Sequence, residues 1–429
     1  MMNWKEIYKS KLVSINDAAK TIKSYDRVFV SPASATPLDL LNELFGRYEE
    51  LEGVELHSGQ LLYPLPVLAD PKYQGHIKWY SFFIGVYERM AYPKRLINAA
   101  SVHLSEVDKY LHDVARVNVL VADVSVPDDE GYMYFGPMGV SQSGTVSQYA
   151  EKIVVQVNKY QPRVNGEFHR IHVKDVDYIT EKDHELPELP QTPITEIEKK
   201  IATLLLPMIP DNATIQIGLG GLANAVGYGL EGKKDLSVHT EMITDSMMHL
   251  AKKGVITGTI TAAFALGSND LYRFAGESKQ VFLKPIHLIN QVDAIAQYDN
   301  FISINACLMV DLTGQVASEG IGTRVVSSTG GASDFVRGAT KSKGGKSFIC
   351  LPSTTIKNDI TTSNIVMSLP PSTPVTVQRS DVQYIVTEYG IADLYNRSIQ
   401  DSAKALISVA HPEFRDALKE EAIKAGYLL

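Results

Sequence analysis

The chain has 429 residues, 45% of them hydrophobic and 21% charged, which is typical of globular proteins and long enough to favour two domains. The formal net charge of −8 and a pI near 5.8 exclude a predominantly basic surface, so nucleic-acid binding is not expected. The sequence shows neither an apolar leader nor a run of about 18 apolar residues, so we expect a cytoplasmic protein that does not bind membranes.

Cysteine and histidine patterns give no sign of a metal site. The two cysteines, Cys307 and Cys350, are too few for a disulfide scaffold and lack the close spacing of zinc ligands. The 11 histidines form no HExxH-like pattern. We therefore expect no bound metal, and we expect both cysteines to be buried apolar side chains.

In chain order, the first half alternates helical and extended patterns. The elements are a helix at residues 14–24, a strand at 28–30, a small-residue loop at 31–36, a helix with Leu40, Leu41 and Leu44, and strands at 54–59 and 117–123. Such alternation indicates an open α/β domain with a largely parallel sheet. In sheets of this kind, ligands bind outside the carboxyl ends of the strands.

A polar segment rich in proline, residues 184–193, separates the two halves. Its prolines exclude a helix or a central strand, so we interpret it as an interdomain linker. We predict a first α/β domain at residues 1–186, a linker at 187–194 and a second α/β domain at 195–429. Thr195 and Glu198 have the spacing of a capping box, which opens a helix at the start of the second domain.

The second half repeats the order of the first. A helix is followed by a strand at 214–217, a glycine-rich loop at 218–222 and another helix. Residues 236–241 then resemble residues 54–59, with Glu241 in the place of Gly59, and residues 304–311 resemble residues 117–123. We interpret this as an internal duplication that gives two similar open α/β domains with largely parallel sheets.

The glycine-rich loop is a candidate ligand site. Gly218, Gly220 and Gly221 would let the backbone approach a ligand, and the following helix start favours negative charge. The loop fits the GxGxxA pattern of dinucleotide-binding proteins, so a dehydrogenase is a possible alternative. Asp235 and Glu241 only bracket the position of the acidic residue that such a site requires. The structural alternative is a tight turn packed inside the domain.

A second glycine pair precedes a polar helix. Gly330 and Gly331 could present backbone N–H groups to an oxyanion. In the structural alternative, Asp334 caps the helix and forms a surface pair with Arg337. Nearby lysines could meet phosphates, although a solvated loop is the preferred interpretation; they are Lys341, Lys343 and Lys346.

Eight segments in the same order together resemble the acetyl-CoA hydrolase/transferase family, in particular its 4-hydroxybutyrate and butyrate CoA-transferases. They are residues 36–37, 128–132, 162–166, 239–242, 305–315, 330–339, 386–392 and 410–415. The resemblance implies that Glu241 is the nucleophile, that the Gly331 N–H helps to bind the oxyanion, and that Asn290 is the matching asparagine there. The chain departs from the family pattern at residues 222–224 and 364.

The resemblance also implies the reaction. CoA would move between a short-chain acyl-CoA, such as 4-hydroxybutyryl-, butyryl- or propionyl-CoA, and a carboxylate such as acetate. The route would pass through an acyl-glutamyl anhydride and a glutamyl-CoA thioester. No cofactor is expected, because the CoA thioester is a substrate. We expect a homo-oligomer, for example a dimer. Gly218, Gly220, Gly221 and Gly330 are the candidate CoA or acyl contacts. The alternatives are an acyl-CoA hydrolase at the same site, a dinucleotide-dependent dehydrogenase and a non-catalytic CoA-binding regulator.

Overall fold

The computed structural model describes residues 3–429 and divides into two compact units. The first unit comprises the described residues up to Pro190, together with Glu241–Asp245 and Ile260–Ile289. The second comprises Gln191–Thr240, Ser246–Thr259 and Asn290–Leu429. Residues 182–195 are all described and contain neither helix nor strand, as their prolines predict. The boundaries at 187–194 stay a prediction.

The elements up to Pro190 alternate helix and strand. The helices are α1 (Trp4–Lys11), α2 (Ile15–Lys20), α3 (Leu38–Gly46), α4 (Val86–Ala91), α5 (Val107–Lys109), α6 (Gly136–Gly139) and α7 (Ser143–Val146). The strands are β1 (Arg27–Val30), β2 (Val54–Ser58), β3 (Ile77–Ser81), β4 (Ile97–Ala99), β5 (Val119–Val124), β6 (Tyr132–Tyr134), β7 (Lys152–Val157), β8 (Arg170–His172) and β9 (Tyr178–Glu181).

Seven of these strands form one parallel sheet in the order β4-β3-β2-β1-β5-β7-β9. Its interior strand β5 is buried along its whole length, as expected for a parallel strand covered on both faces. The loop of residues 31–36, here called the β1 loop, follows the carboxyl end of β1. The strands β6 and β8 form a separate antiparallel ribbon.

The elements after Pro190 continue the alternation. The helices are α8 (Glu196–Leu205), α9 (Gly221–Gly229), α10 (Asp245–Lys252), α11 (Asn269–Glu277), α12 (Ile286–Ile289), α13 (Val292–Ala296), α14 (Ala332–Lys341), α15 (Ile399–Val409) and α16 (Pro412–Lys424). The strands are β10 (Thr214–Ile217), β11 (Leu236–Ile243), β12 (Ile256–Ala265), β13 (Val281–Leu283), β14 (Phe301–Ala306), β15 (Met309–Asp311), β16 (Val316–Ala317), β17 (Gly320–Ile321), β18 (Arg324–Val325), β19 (Lys346–Cys350), β20 (Thr354–Lys357), β21 (Ile360–Ser363), β22 (Ile365–Val366), β23 (Tyr384–Thr387) and β24 (Gly390–Asp393).

The second large sheet has the order β13-β12-β11-β10-β14-β19-β23-β24. Apart from the antiparallel edge strand β24, this order repeats that of the first sheet, with β10 in the place of β1 and β14 in the place of β5. The prediction of two similar α/β sheets with largely parallel strands is therefore confirmed. The predicted correspondence of residues 304–311 with residues 117–123 is wrong in register. Val119 pairs with Val28 of β1, and Ile302 pairs with Ile215 of β10. Val119 therefore corresponds to a residue near Ile302, before the predicted segment.

Apolar side chains fill a core in each unit. In the first unit the largest fully buried side chains include Trp79, Phe29 and Phe45. In the second, Ile349 and Ile385 pack in one cluster with side chains of α14, α15 and α16. Cys350 is buried, as predicted, and Cys307 is only partly buried. Over residues 3–429, the helices are too short or too polar to cross a membrane.

Candidate functional site

Glu241 lies within β11, two residues before the end of the strand at Ile243. The strand continues past Glu241, and both Met242 and Ile243 are buried. The Glu241 side chain is partly exposed, whereas Thr240 and Met242 on either side of it are buried. Glu241 is thus a partly exposed carboxylate in a strand in which only Ser237 is also partly exposed.

The backbone just after β11 is held by a buried carboxylate. Asp245 accepts hydrogen bonds from the Ser268 N–H (3.2 Å) and from the Ser268 hydroxyl. Ser268 is also the N-cap of α11. A Cβ atom added to Gly267 would lie 2.3 Å from Asp245 Oδ2, so glycine is required for this close approach. These contacts fix the segment that follows Glu241 against the start of α11.

The three glycines of the loop after β10 have different roles. Gly218 continues the sheet, with its N–H donating to Ile304 O at 2.9 Å. Gly220 has a φ of +112°, which other residues rarely adopt. A Cβ atom on Gly221 would lie 2.5 Å from Glu198 Oε1, so this glycine lets α9 approach α8. The packed-turn interpretation explains Gly221, whereas a Cβ atom on Gly220 would meet nothing within 4 Å.

The dinucleotide alternative loses Asp235, one of its two acidic candidates. Asp235 immediately precedes β11, at the amino end of the strand, and accepts a hydrogen bond from the Thr257 hydroxyl at 3.2 Å. The glycine loop follows the carboxyl end of β10, which is parallel to β11. A ribose-binding carboxylate has to lie at the carboxyl edge. Asp235 therefore cannot fill that role.

The second glycine pair forms the start of α14. Gly330 has a φ of +63°, and Gly331 is the N-cap residue. The interpretation of Asp334 as the cap is wrong, because the left-handed turn at Gly330 starts the helix earlier and leaves Asp334 buried in the first turn. Arg337 lies 4.0 Å from Asp381. The first N–H groups of a helix have no partner within it and attract negative charge, which suits an oxyanion.

Asn290 is fully buried and lies between α12 and α13. Helix α13 packs tightly on α14, since a Cβ atom on Gly338 would lie 2.5 Å from the Ile295 side chain. Gly218, Gly220 and Gly221 thus share one loop and Gly330 and Gly331 share another, while Asn290 precedes a helix that contacts α14.

The lysine cluster does not converge on one point. Lys341 lies 3.9 Å from Asp293, Lys343 lies 3.7 Å from Asp299, and the Lys346 ammonium donates to Met208 O at 2.8 Å. Each lysine therefore has a different neighbour, and Lys341 and Lys343 are largely exposed. This arrangement favours the solvated interpretation over a phosphate site.

Two buried polar networks were missed by the sequence analysis. Below Gly218, the Gln216 carboxamide accepts from Ser303 (2.7 Å) and donates to Asn305 (3.1 Å). In the first unit, Asp123 is completely buried at the end of β5. An aspartate inside an apolar strand is the signal that could have identified the second network, because such a group is seldom buried without partners.

Comparisons with known proteins agree along most of the chain. Residues 1–189 match the acetyl-CoA hydrolase/transferase N-terminal domain, and residues 267–422 match the corresponding C-terminal domain. A 4-hydroxybutyrate coenzyme A transferase of Clostridium kluyveri is 36% identical over 98% of this chain and 99% of that protein. A butyryl-CoA:acetate CoA-transferase of Anaerostipes caccae is 36% identical over 99% and 98%. The crystal structure of RipA from Yersinia pestis superposes with a TM-score of 0.93 at 31% identity, covering 99% of this chain and 100% of that one.

Proposed function

Because the chain belongs to the acetyl-CoA hydrolase/transferase family, we propose that it is an acyl-CoA:carboxylate CoA-transferase with Glu241 as its covalent nucleophile. The observation that carries the proposal is similarity along nearly the full chain to proteins named as CoA-transferases for 4-hydroxybutyrate and butyrate. We propose short-chain acyl-CoA donors and acids such as acetate as acceptors. The proposal includes a homo-oligomer, a cytoplasmic location and no cofactor besides the substrate CoA thioester.

In the first half-reaction, the Glu241 carboxylate attacks the thioester carbonyl, the C–S bond breaks, and a mixed anhydride and CoA thiolate form. The thiolate then attacks the glutamyl carbonyl of the anhydride and displaces the first acid as a carboxylate, leaving a glutamyl-CoA thioester. The acceptor acid reverses both steps. A glutamate is ordinarily ionised at neutral pH, so the route needs no general base. The partial exposure of Glu241 supports this role.

The main chemical requirement is stabilisation of the tetrahedral oxyanions. We assign this role to the Gly331 N–H, at the start of the ten-residue helix α14, and to the Asn290 side-chain amide. Loss of one such donor typically slows a reaction about 100- to 1000-fold. Gly218, Gly220, Gly221 and Gly330 are assigned to close approach of the CoA or acyl chain. Of these, Gly220 is favoured, because the space beside it is open.

Hydrolysis at the same site is the second candidate, since the family name covers hydrolases as well as transferases. Water that reached the anhydride would convert transfer into thioester hydrolysis. The names of the relatives at 36% identity favour transfer.

The test is chromatography of acyl-CoA species after the protein is mixed with butyryl-CoA, with and without acetate. Transfer predicts acetyl-CoA only when acetate is present, with little free CoA. Free CoA that accumulates regardless of acetate would identify a hydrolase. Glu241→Gln should abolish acetyl-CoA formation, whereas Glu277→Gln, which changes an exposed glutamate at the end of α11, should not.

A further inference from the structure

Asp123 is a buried carboxylate with an unusually complete set of donors. It accepts hydrogen bonds from the side-chain amides of Gln156 (3.1 Å), Asn158 (2.9 Å) and Gln161 (3.1 Å). His184 Nε2 lies 3.4 Å from the same group. Burying a carboxylate is costly unless it is paired in this way. These side chains are therefore held in fixed orientations around Asp123.

Two of the donors extend the network to the β1 loop. The Gln161 amide that donates to Asp123 also donates to Ser34 O, at 2.5 Å. The Gln156 carbonyl accepts from the Leu40 N–H in the first turn of α3, at 3.0 Å. A Cβ atom at Gly136 would lie 2.0 Å from Gln161 Oε1, so the backbone also encloses this amide closely. Asp123 thus orients the groups that hold the β1 loop and the start of α3.

The β1 loop is linked to the segment that carries Glu241, within the first compact unit. Tyr272 of α11 lies beside Ser34 and donates its hydroxyl to Pro187 O at 2.9 Å. At its first turn, α11 is tied through Ser268 to Asp245, four residues after Glu241. One helix therefore contacts both the β1 loop and the backbone that follows Glu241.

We infer that Asp123 is a positioning residue that fixes the β1 loop, through Gln156 and Gln161, as a rigid wall for the acyl group that Glu241 receives. This inference rests on the proposed transferase function. The wall would select acyl groups by shape and hold the thioester carbonyl in line for attack. A displacement of about 1 Å in such positioning can cost about 100-fold in rate.

Asp123→Asn tests the inference with little change in volume. The new NH₂ group would face an amide donor, either that of Gln156 or those of Asn158 and Gln161, and would force the network to rearrange. We expect kcat/KM for butyryl-CoA to fall about 10- to 100-fold, and we expect the ratio of butyryl- to acetyl-CoA turnover to change. The affinity for free CoA, measured by calorimetry, should stay the same. Each rate is divided by the fraction of protein chains that form a covalent CoA adduct.

A merely structural role predicts a different result. Asp123→Asn would then lower stability and the active fraction, but kcat per active chain and the acyl-chain ratio would equal those of the parent. That outcome would overturn the inference. Absence of a Glu241-dependent adduct in the parent protein would instead contradict the proposed function, so the two failures can be distinguished.

Two further variants test the inference if Asp123→Asn does not fold. Gln161→Met removes the amide that donates to Ser34 O, whereas Asn158→Ser removes the amide that donates both to Asp123 and to the His184 carbonyl, away from the β1 loop. Both variants take one donor from Asp123. We expect only Gln161→Met to change the ratio of butyryl- to acetyl-CoA turnover. Equal ratios in the two variants would refute the positioning role.

Discussion

Glu88 should make the stability of the first unit depend on pH near neutrality. Its side chain is fully buried at the start of α4 and accepts N–H groups from Leu61 (2.9 Å) and Gly85 (3.2 Å). Burial raises the pKa of Glu88 from 4.5 to about 7, although these N–H donors and the charge of Arg89 oppose the increase. The folded protein therefore binds this proton more tightly than the unfolded chain does.

The magnitude follows from the two pKa values. At 1.36 kcal/mol per pKa unit, the difference between 4.5 and about 7 corresponds to about 3 kcal/mol. Because the native state binds more protons in this window, the contribution of Glu88 to the unfolding free energy falls as the pH rises from 4.5 to about 7, and it is constant above that. Glu88→Gln cannot titrate, so its stability relative to the parent should rise by about 3 kcal/mol across the window.

Urea unfolding followed by tryptophan fluorescence provides the assay, because both tryptophans, Trp4 and Trp79, lie in the first unit and Trp79 is fully buried. The midpoint is measured from pH 5 to pH 8 for the parent, for Glu88→Gln and for Glu151→Gln, which changes an exposed glutamate in the same unit. Only Glu88→Gln should diverge from the parent. A constant difference, or one that shrinks as the pH rises, would mean that the N–H donors outweigh burial and would refute the reasoning.

Three further substitutions test a close backbone contact, a helix cap and a carboxylate that accepts backbone N–H groups. Gly144→Ala would place a Cβ atom 1.8 Å from Phe168 O, and should lower the unfolding free energy by about 3 kcal/mol or more in urea titrations; an unchanged midpoint would contradict this packing. Thr195→Ala removes the cap of α8 and should cost about 1 kcal/mol, while Thr195→Ser should keep most of it, as measured by thermal circular dichroism. Asp311→Ala leaves the N–H groups of Thr313 and Gln315 without their acceptor. The unfolding free energy should fall by about 2 kcal/mol, measured in the same thermal melt. A fall below about 0.5 kcal/mol would show that water replaces the carboxylate as acceptor.

Elements that depend on a few neighbouring residues could be predicted from the sequence. Strand β10 spans residues 214–217, as predicted, and α8 begins after Thr195, as the capping box predicts. The start of α16 at Pro412, after the His411 cap, follows the same local rules. Repetition of such local patterns in both halves also indicated two similar α/β sheets.

Features set by contacts between distant residues could not be predicted. Strand β11 passes Glu241 because Met242 and Ile243 are buried by packing that the local pattern does not reveal. The partners of Asp123 are equally hidden, since Gln156 and Gln161 lie 33 and 38 residues further along the chain. The catalytic assignment of Glu241 stays a prediction, because it depends on the order of eight motifs and not on any one of them.

The central claim is tested most directly by the mass of the intact protein after it is mixed with butyryl-CoA in the absence of an acceptor acid. A glutamyl-CoA thioester adds the mass of CoA minus one water, and peptide mapping should place the adduct on Glu241. The account predicts this adduct in the parent and in Glu277→Gln, its disappearance on addition of acetate, and its absence in Glu241→Gln. Transfer to acetate by Glu241→Gln, or an adduct on another residue, would contradict the claim.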